Sequence, residues 1–315
     1  MFLFSVLVPV FTLIGVGFLI VKRGFISAGA VRDFNNVVYY IGLPALLFYR
    51  ISKSEINIVM AAKPVMLCIV SIVLCIFIGI LYLCLQKKQS GDAGSVLQVI
   101  ARANTVFIGL PVIYYFFESI NYPDAEYINN LTVLSLAILV PINNIVGVTV
   151  LVLGDKNEHK FIKIIVKNIF TNPIMLACIA GFIYSKMFDG FAVPVARTLE
   201  AMSGMTLPLS LIAVGGVLAG MKLSDGFGDM FFIAFIKLIL MPFIVLLMGK
   251  ILGFPNEYIA IAMILMACPS ASTCVTLAQQ LGGNVKLTSN VIFGTSILSL
   301  FSLIIVLSAC RWLFL

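Results

Sequence analysis

The sequence has few charged residues. Only 10% of its 315 residues are Asp, Glu, Lys or Arg, whereas a soluble protein carries roughly a quarter. The hydrophobic share is 62%, so the solvent of this chain is mostly lipid. The net charge of +7 comes from basic residues scattered among short loops. That distribution is typical of cytoplasmic loops in membrane proteins and does not indicate a nucleic-acid partner.

Catalytic and metal-binding patterns are also lacking. The single histidine, His159, lies in a charged loop. The sequence contains no G-x-S-x-G, P-loop or dinucleotide fingerprint. Its seven cysteines fall in apolar segments without C-x-x-C spacing, which disfavours a metal site or a disulfide framework. We therefore expect no enzyme activity, no metal and no cofactor, and an ATP-driven pump is disfavoured.

What the sequence does contain is long apolar segments, and a membrane span needs about 20 such residues. The first, at Phe2–Val21, lacks a basic start and ends in Lys22-Arg23, so we interpret it as a span and not as a signal peptide. The pattern predicts an all-α polytopic membrane protein embedded in a lipid bilayer. Ten spans are predicted, at residues 2–21, 34–50, 63–84, 97–117, 127–152, 173–188, 198–219, 230–250, 258–280 and 287–312.

The predicted spans divide into two sets of five. Residues 1–153 would form the first repeat and residues 173–315 the second, joined by a cytoplasmic interfacial linker at 154–172. Span two contains Gly42-Leu-Pro44 and span seven contains Thr206-Leu-Pro208. Because each half has an odd number of spans, the halves must be oppositely oriented. The sequence thus predicts a 5+5 inverted repeat.

Basic residues also predict the orientation. With the N-terminus outside, eleven Lys and Arg residues in loops or at span ends fall on the inner face and seven on the outer face. Since cytoplasmic loops are enriched in Lys and Arg, we expect both termini outside. The predicted location is the inner (plasma) membrane of a bacterium.

Spans four and nine are interrupted near their midpoints, at Asn104–Pro111 and Cys268–Thr273. Non-helical backbone at membrane depth is tolerated only where it is buried or lines a cavity. Pro111 and Pro269 each remove a helical hydrogen bond, and Gly109 permits backbone angles denied to other residues. Interruptions at corresponding positions of two halves are typical of a transporter's substrate site. We expect the two broken spans to cross.

Half-helices that begin after the breaks would aim positive dipole ends at the midplane, which favours an anion. Arg102 and Lys237 are the only charges inside predicted spans and away from their ends; each either serves the site or extends to the headgroups. No Asp or Glu lies securely within a span, and Glu200 stands at the end of one. The predicted substrate-binding residues are Arg102, Asn104, Thr105, Gly109, Pro111, Asn144, Pro269, Ser270 and Ser272.

The string from Asn104 to Pro111 resembles the fourth-span motif of the auxin efflux carrier family, which contains plant auxin exporters and bacterial organic-acid permeases. Asn172-Pro173, Pro269-Ser-Ala and Ala278-Gln-Gln are similar to further landmarks of that family. The resemblance implies a homodimeric ten-span carrier with an elevator mechanism. A scaffold would be formed by spans one, two, six and seven.

By the same resemblance, Asn104 would contact a substrate carboxylate, and Pro269 and Ser270 would form the second crossover. The chain lacks the long central loop of plant exporters, so the resemblance implies a small carboxylate such as malonate as substrate. Two alternatives stay open. One is a sodium-coupled carrier of the bile-acid type, and the other is a membrane sensor that binds a ligand without moving it. An intramembrane enzyme is the weakest reading.

Overall fold

The structure is a computed structural model that describes residues 2–53, 58–86, 90–152, 172–221 and 227–314. The regular secondary structure of these residues is helical, apart from one isolated bridge between Ala103 and Ser270. The prediction of an all-α polytopic membrane protein is confirmed at this level. The predicted linker 154–172, apart from Asn172, and His159 lie outside the described residues.

The described helices follow the predicted spans closely, with the interruptions given below. Their bounds are α1 Phe2–Lys22, α2 Ala28–Val37, α3 Leu43–Ser52, α4 Ile58–Gln86, α5 Ser90–Ala101, α6 Leu110–Ser119, α7 Ala125–Val152, α8 Pro173–Met187, α9 Val193–Gly204, α10 Thr206–Gly220, α11 Phe227–Phe235, α12 Met241–Ile251, α13 Asn256–Met266, α14 Thr273–Gln280 and α15 Val285–Trp312.

Six helical stretches of the described chain are long and apolar enough to cross a membrane. They are Phe2–Lys22, Ile58–Gln86, Ala125–Leu151, Val193–Gly220, Asp229–Ile251 and Val285–Trp312. Large apolar side chains such as Phe4, Phe77 and Phe301 are exposed on them, as expected for helices that face hydrocarbon. The count of ten spans and their 5+5 symmetry stay predictions.

The chain folds into two compact units that interleave along the sequence. The first unit comprises Met1–Ala62, Val106–Pro141 and Val166–Gly220. The second unit comprises Lys63–Thr105, Ile142–Ile165 and Met221–Leu315. These units are not the predicted halves 1–153 and 173–315. The predicted halves are repeats related by symmetry and need not be compact units. The observed units therefore do not test that prediction.

In the first unit, glycines bring α1 and α10 into close contact. A Cβ added to Gly17 would lie 2.0 Å from the carbonyl oxygen of Ile212, and one added to Gly215 would lie 1.9 Å from that of Ile14. Only residues without a side chain permit such an approach of two helix backbones. The α1–α10 pair therefore depends on both glycines.

In the second unit, α13 is enclosed on all sides, and every residue from Tyr258 to Met266 is buried. This enclosure explains why α13 is apolar all round instead of amphipathic. The last residues of α5, from Ser95 to Ala101, are buried too. Two short helices thus run through the interior of this unit, and both end at interruptions.

The prolines act differently from what the sequence suggested. Three π-helical turns end two residues before a proline: Val38–Gly42 before Pro44, Thr105–Gly109 before Pro111 and Ile236–Leu240 before Pro242. Proline has no N–H and cannot donate a helical hydrogen bond. A π-turn before the proline accommodates this missing bond without ending the helix. Pro64 and Pro141 lie inside continuous helices.

The interruption of span four is therefore not at Gly109 and Pro111. Gly109 has ordinary helical angles, φ −62° and ψ −47°, so the expectation that its conformational freedom is used was wrong. The unwound residues are Arg102–Asn104, directly after α5. The interruption of span nine covers Ala267–Ser272, around Pro269 as predicted.

Candidate functional site

The two interruptions meet inside the second unit. Ala103 and Ser270 form an antiparallel bridge. On one side of it the amide of Asn104 donates to the carbonyl of Pro269 at 2.8 Å, and on the other the amide of Ala271 donates to the carbonyl of Arg102 at 3.0 Å. The unwound segments thus satisfy each other's backbone groups, which low-dielectric surroundings require.

Ser270 joins the second interruption to neighbouring helices. Its hydroxyl donates to the carbonyl of Val99 in the last turn of α5 at 2.8 Å. Its amide donates to the hydroxyl of Thr295 on α15 at 3.2 Å. The hydroxyl and the amide of this predicted substrate ligand are therefore both used within the protein, one to bind α5 and the other to bind α15. Thr295 was missed by the sequence analysis, because a lone threonine in an apolar helix carries no signal of its own.

Arg102 is the buried cation at the start of the first interruption. Its side chain is only 7% exposed, and its Nη2 donates to Asn144 Oδ1 at 2.8 Å and Thr273 Oγ1 at 3.0 Å. The Nη1 group is buried without a hydrogen-bond partner. Neither ion pair of the described chain involves Arg102. The alternative that Arg102 extends to the headgroups is therefore wrong.

Two further residues surround Arg102 and were not predicted. A Cβ on Gly147 would lie 2.3 Å from Arg102 Cδ, so this glycine gives the arginine its space. Gln98 precedes Arg102 by one helical turn; it is 0% exposed, and both its side-chain polar atoms lack partners. The position of Gly147 could have been inferred from the sequence, because Gly147 follows Asn144 by three residues and lies on the same helix face.

Asn104 presents an unused carboxamide at the same place. The residue is 7% exposed, and its side chain makes no hydrogen bond within the described ranges. Because Ala103 is in a bridge, its neighbours Arg102 and Asn104 lie on the same side of the extended backbone. An arginine donor and a free amide thus face one way from the first interruption.

The remaining predicted residues are distributed as follows. Thr105 is buried at the start of its π-turn. Ser272 precedes α14 without a capping bond from its side chain. Gly109 and Pro111 are buried in the first unit. The structure therefore brings Arg102, Asn104, Asn144, Pro269 and Ser270 together in one unit.

The other two charges singled out from the sequence also have defined partners. Lys237 is 0% exposed, and its Nζ donates to the carbonyl of Ile100 at 2.8 Å, so the alternative that it extends to the headgroups is wrong. Glu200 is the eighth residue of α9 and lies within the apolar stretch Val193–Gly220 instead of at its end. It accepts a hydrogen bond from Tyr49 and lies 4.0 Å from Lys53.

Chemically, this site offers hydrogen-bond donors and one buried positive charge. Arg102 supplies the charge and Asn104 supplies an amide. At both breaks the backbone is not helical. No group of three or more His, Cys, Asp or Glu side chains that could hold a metal occurs among the described residues. Such an arrangement suits the binding of an anion more than acid–base chemistry.

Comparison with known proteins agrees with this description. The family described as "Membrane transport protein" matches residues 2–160 and 155–307. An uncharacterised transporter of Methanothermobacter thermautotrophicus is 25% identical over 93% of this chain and 94% of its own length. One from Methanocaldococcus jannaschii is 24% identical over 94% of this chain and 95% of its own. The uncharacterised transporter YfdV of Escherichia coli K12 is 24% identical over 98% and 96%, respectively. The resemblance noted in the sequence is thereby confirmed, and the chain belongs to the auxin efflux carrier family of membrane transport proteins.

Proposed function

We propose that this membrane transporter carries small organic anions with a carboxylate group and binds them where the two interruptions meet. The observation that carries the proposal is the pair of unused donors at the first interruption. Arg102 Nη1 is buried without a partner, and the Asn104 side chain makes no hydrogen bond within the described chain. A carboxylate has two oxygens and can accept from both.

The charge balance of the site favours an anion over a cation or a neutral solute. A buried arginine without a paired carboxylate is costly in a low-dielectric interior. Here its Nη2 donates only to neutral oxygens, those of Asn144 and Thr273. A bound carboxylate would supply the missing negative charge, whereas a cation would meet repulsion.

Transport rather than mere binding would follow from moving this site across the membrane. All the polar contacts described around Arg102, Asn104 and Ser270 are internal to the second unit. The site can therefore travel with that unit without being rebuilt. This property supports an elevator-type alternating-access mechanism, either secondary active or facilitative.

The proposal is tested by counterflow with purified protein in liposomes. Vesicles loaded with one unlabelled carboxylate should accumulate the labelled form, and a panel of monocarboxylates, dicarboxylates and neutral amides of the same shape identifies the preferred class. Accumulation of carboxylates but not of their amides supports the proposal. Ligand binding without counterflow would instead favour the sensor, and preference for neutral amides would contradict the anion site.

We also propose a homodimer in the bacterial inner membrane with both termini outside. The excess of basic residues on one predicted face supports this orientation. Reporter domains fused to the C-terminus, one active only in the cytoplasm and one only outside it, test the orientation. Activity of the cytoplasmic reporter would reverse it. The mass of the protein in detergent, corrected for bound detergent, tests the dimer.

A further inference from the structure

Lys237 is a buried cation that the proposed anion site does not use. It lies in the π-helical turn Ile236–Leu240 of the second unit and is 0% exposed. Its Nζ donates to the carbonyl of Ile100 at 2.8 Å and lies 3.5 Å from Met241 Sδ. Neither ion pair of the described chain includes it. Such an expensive group in the membrane interior calls for a function.

The surroundings of Lys237 contain thiols instead of carboxylates. The titratable groups that face its ammonium are Cys68, Cys75, Cys268 and Cys274. Neutral thiols cannot balance a positive charge. The negative end of a helix dipole, equivalent to roughly half a charge, offsets part of it, and the ammonium is bound at the last turn of α5.

The end of α5 is the kind of place where transporters bind a coupling cation. Carbonyl groups at the C-terminal end of an interrupted helix lack partners in the helix and coordinate small cations in such proteins. Here three of these carbonyls are already occupied. Gln98 accepts from the amide of Arg102, Val99 from Ser270 Oγ, and Ile100 from Lys237 Nζ. The carbonyl of Arg102, just beyond α5, accepts from the amide of Ala271.

We propose that the ammonium of Lys237 fills a monovalent cation site at the end of α5 and acts as a tethered counterpart of a coupling ion. The charge and the carbonyl contact are those of a bound cation, but the ion is covalently attached and cannot dissociate. Transport by this chain is accordingly independent of Na⁺. This part of the inference rests on the proposed transport function, whereas the cation site itself does not.

Two substitutions separate a tethered cation from a residue that merely fills space. Lys237→Ala removes the charge and leaves room near the Ile100 carbonyl, whereas Lys237→Met removes the charge and keeps most of the side-chain volume. The measurement is the Tm of each detergent-solubilised protein in NaCl, LiCl, KCl and choline chloride at equal ionic strength. This readout needs no substrate.

The wild-type Tm should not differ between Na⁺ and choline. Lys237→Ala should have a lower Tm in choline and recover about 2–4 °C in Na⁺ or Li⁺, because a cation that binds only the folded state stabilises it. Lys237→Met should not recover. A wild-type Tm that rises with Na⁺, or a Lys237→Ala protein that responds to no cation, would overturn the tethered-cation site.

Counterflow in liposomes then tests the part of the inference that concerns transport. Wild-type exchange should be equal in Na⁺ and choline, and Lys237→Ala should lose at least about tenfold in choline and regain part of it in Na⁺. Wild-type exchange that requires Na⁺ would overturn the inference. If no carboxylate exchanges at all, the proposed function fails, but the Tm series still decides the cation site.

Discussion

Arg102 and Lys237 are both buried in the second unit, yet they are bound in different ways. Lys237 donates to a backbone carbonyl at a helix end, where the helix dipole offsets part of its charge. Arg102 donates through Nη2 to two side-chain oxygens and keeps Nη1 free. The first arrangement uses a backbone carbonyl, whereas the second leaves a donor group unpaired. We therefore expect substitutions of the two residues to have different consequences.

Replacing Arg102 by Lys keeps the positive charge but removes the planar fork of donors. A lysine ammonium cannot hold Asn144 and Thr273 and still direct a second donor group to a carboxylate in the same plane. We expect Arg102→Lys to raise the KM for carboxylate exchange about tenfold, with little change in Tm. Concentration-dependent counterflow measures it. An unchanged KM would show that Nη1 does not contact the substrate.

Gly147 tests how closely the position of Arg102 is controlled. Since an added Cβ would lie 2.3 Å from Arg102 Cδ, Gly147→Ala must displace the arginine chain. We expect exchange to fall about tenfold while the helix α7 stays intact, because alanine is a better helix former than glycine. Gly220→Ala is the control, since its Cβ would meet nothing within 4 Å. Equal exchange by both variants would contradict a precise role for Arg102.

At the scale of helices, the sequence predicts that two spans are interrupted, but it predicts the positions of the interruptions only in part. Pro269 lies in its break as predicted. Pro111 does not, because a π-turn absorbs its missing donor and moves the unwound residues back to Arg102–Asn104. Which proline breaks a helix depends on packing around it: Pro64 and Pro141 leave α4 and α7 continuous. That information is not local in sequence.

The pairing of α1 with α10 gives a prediction about helices with a matched control in the same helix. Gly17→Ala would place a Cβ 2.0 Å from the Ile212 carbonyl, whereas one at Gly15 meets nothing within 4 Å. Overpacking costs about 1–3 kcal/mol, so Gly17→Ala should lower the Tm by several degrees and Gly15→Ala should not. Thermal unfolding of the purified proteins decides it. Equal Tm values would mean that the helices separate at no cost.

At the scale of the whole molecule, composition and motif order predict a membrane transporter of the family to which the chain belongs. The division into compact units was harder to predict, because they interleave and α4 and α7 each contribute to both. Contacts such as Arg102 with Asn144 and Thr273 join residues 42 and 171 positions apart. Spacing along the chain cannot show such contacts. The residue types at the breaks, in contrast, predict that a site lies there.

The most direct measurement is carboxylate counterflow by the Asn104→Ala variant in liposomes. The Asn104 carboxamide is a predicted substrate ligand that is buried in a break and makes no internal side-chain bond within the described chain. Asn36→Ala, an exposed position on α2, is the control. We predict that Asn104→Ala reduces exchange at least about tenfold at unchanged Tm and membrane yield, and that Asn36→Ala exchanges normally. Wild-type exchange by Asn104→Ala would contradict substrate binding where the interruptions meet.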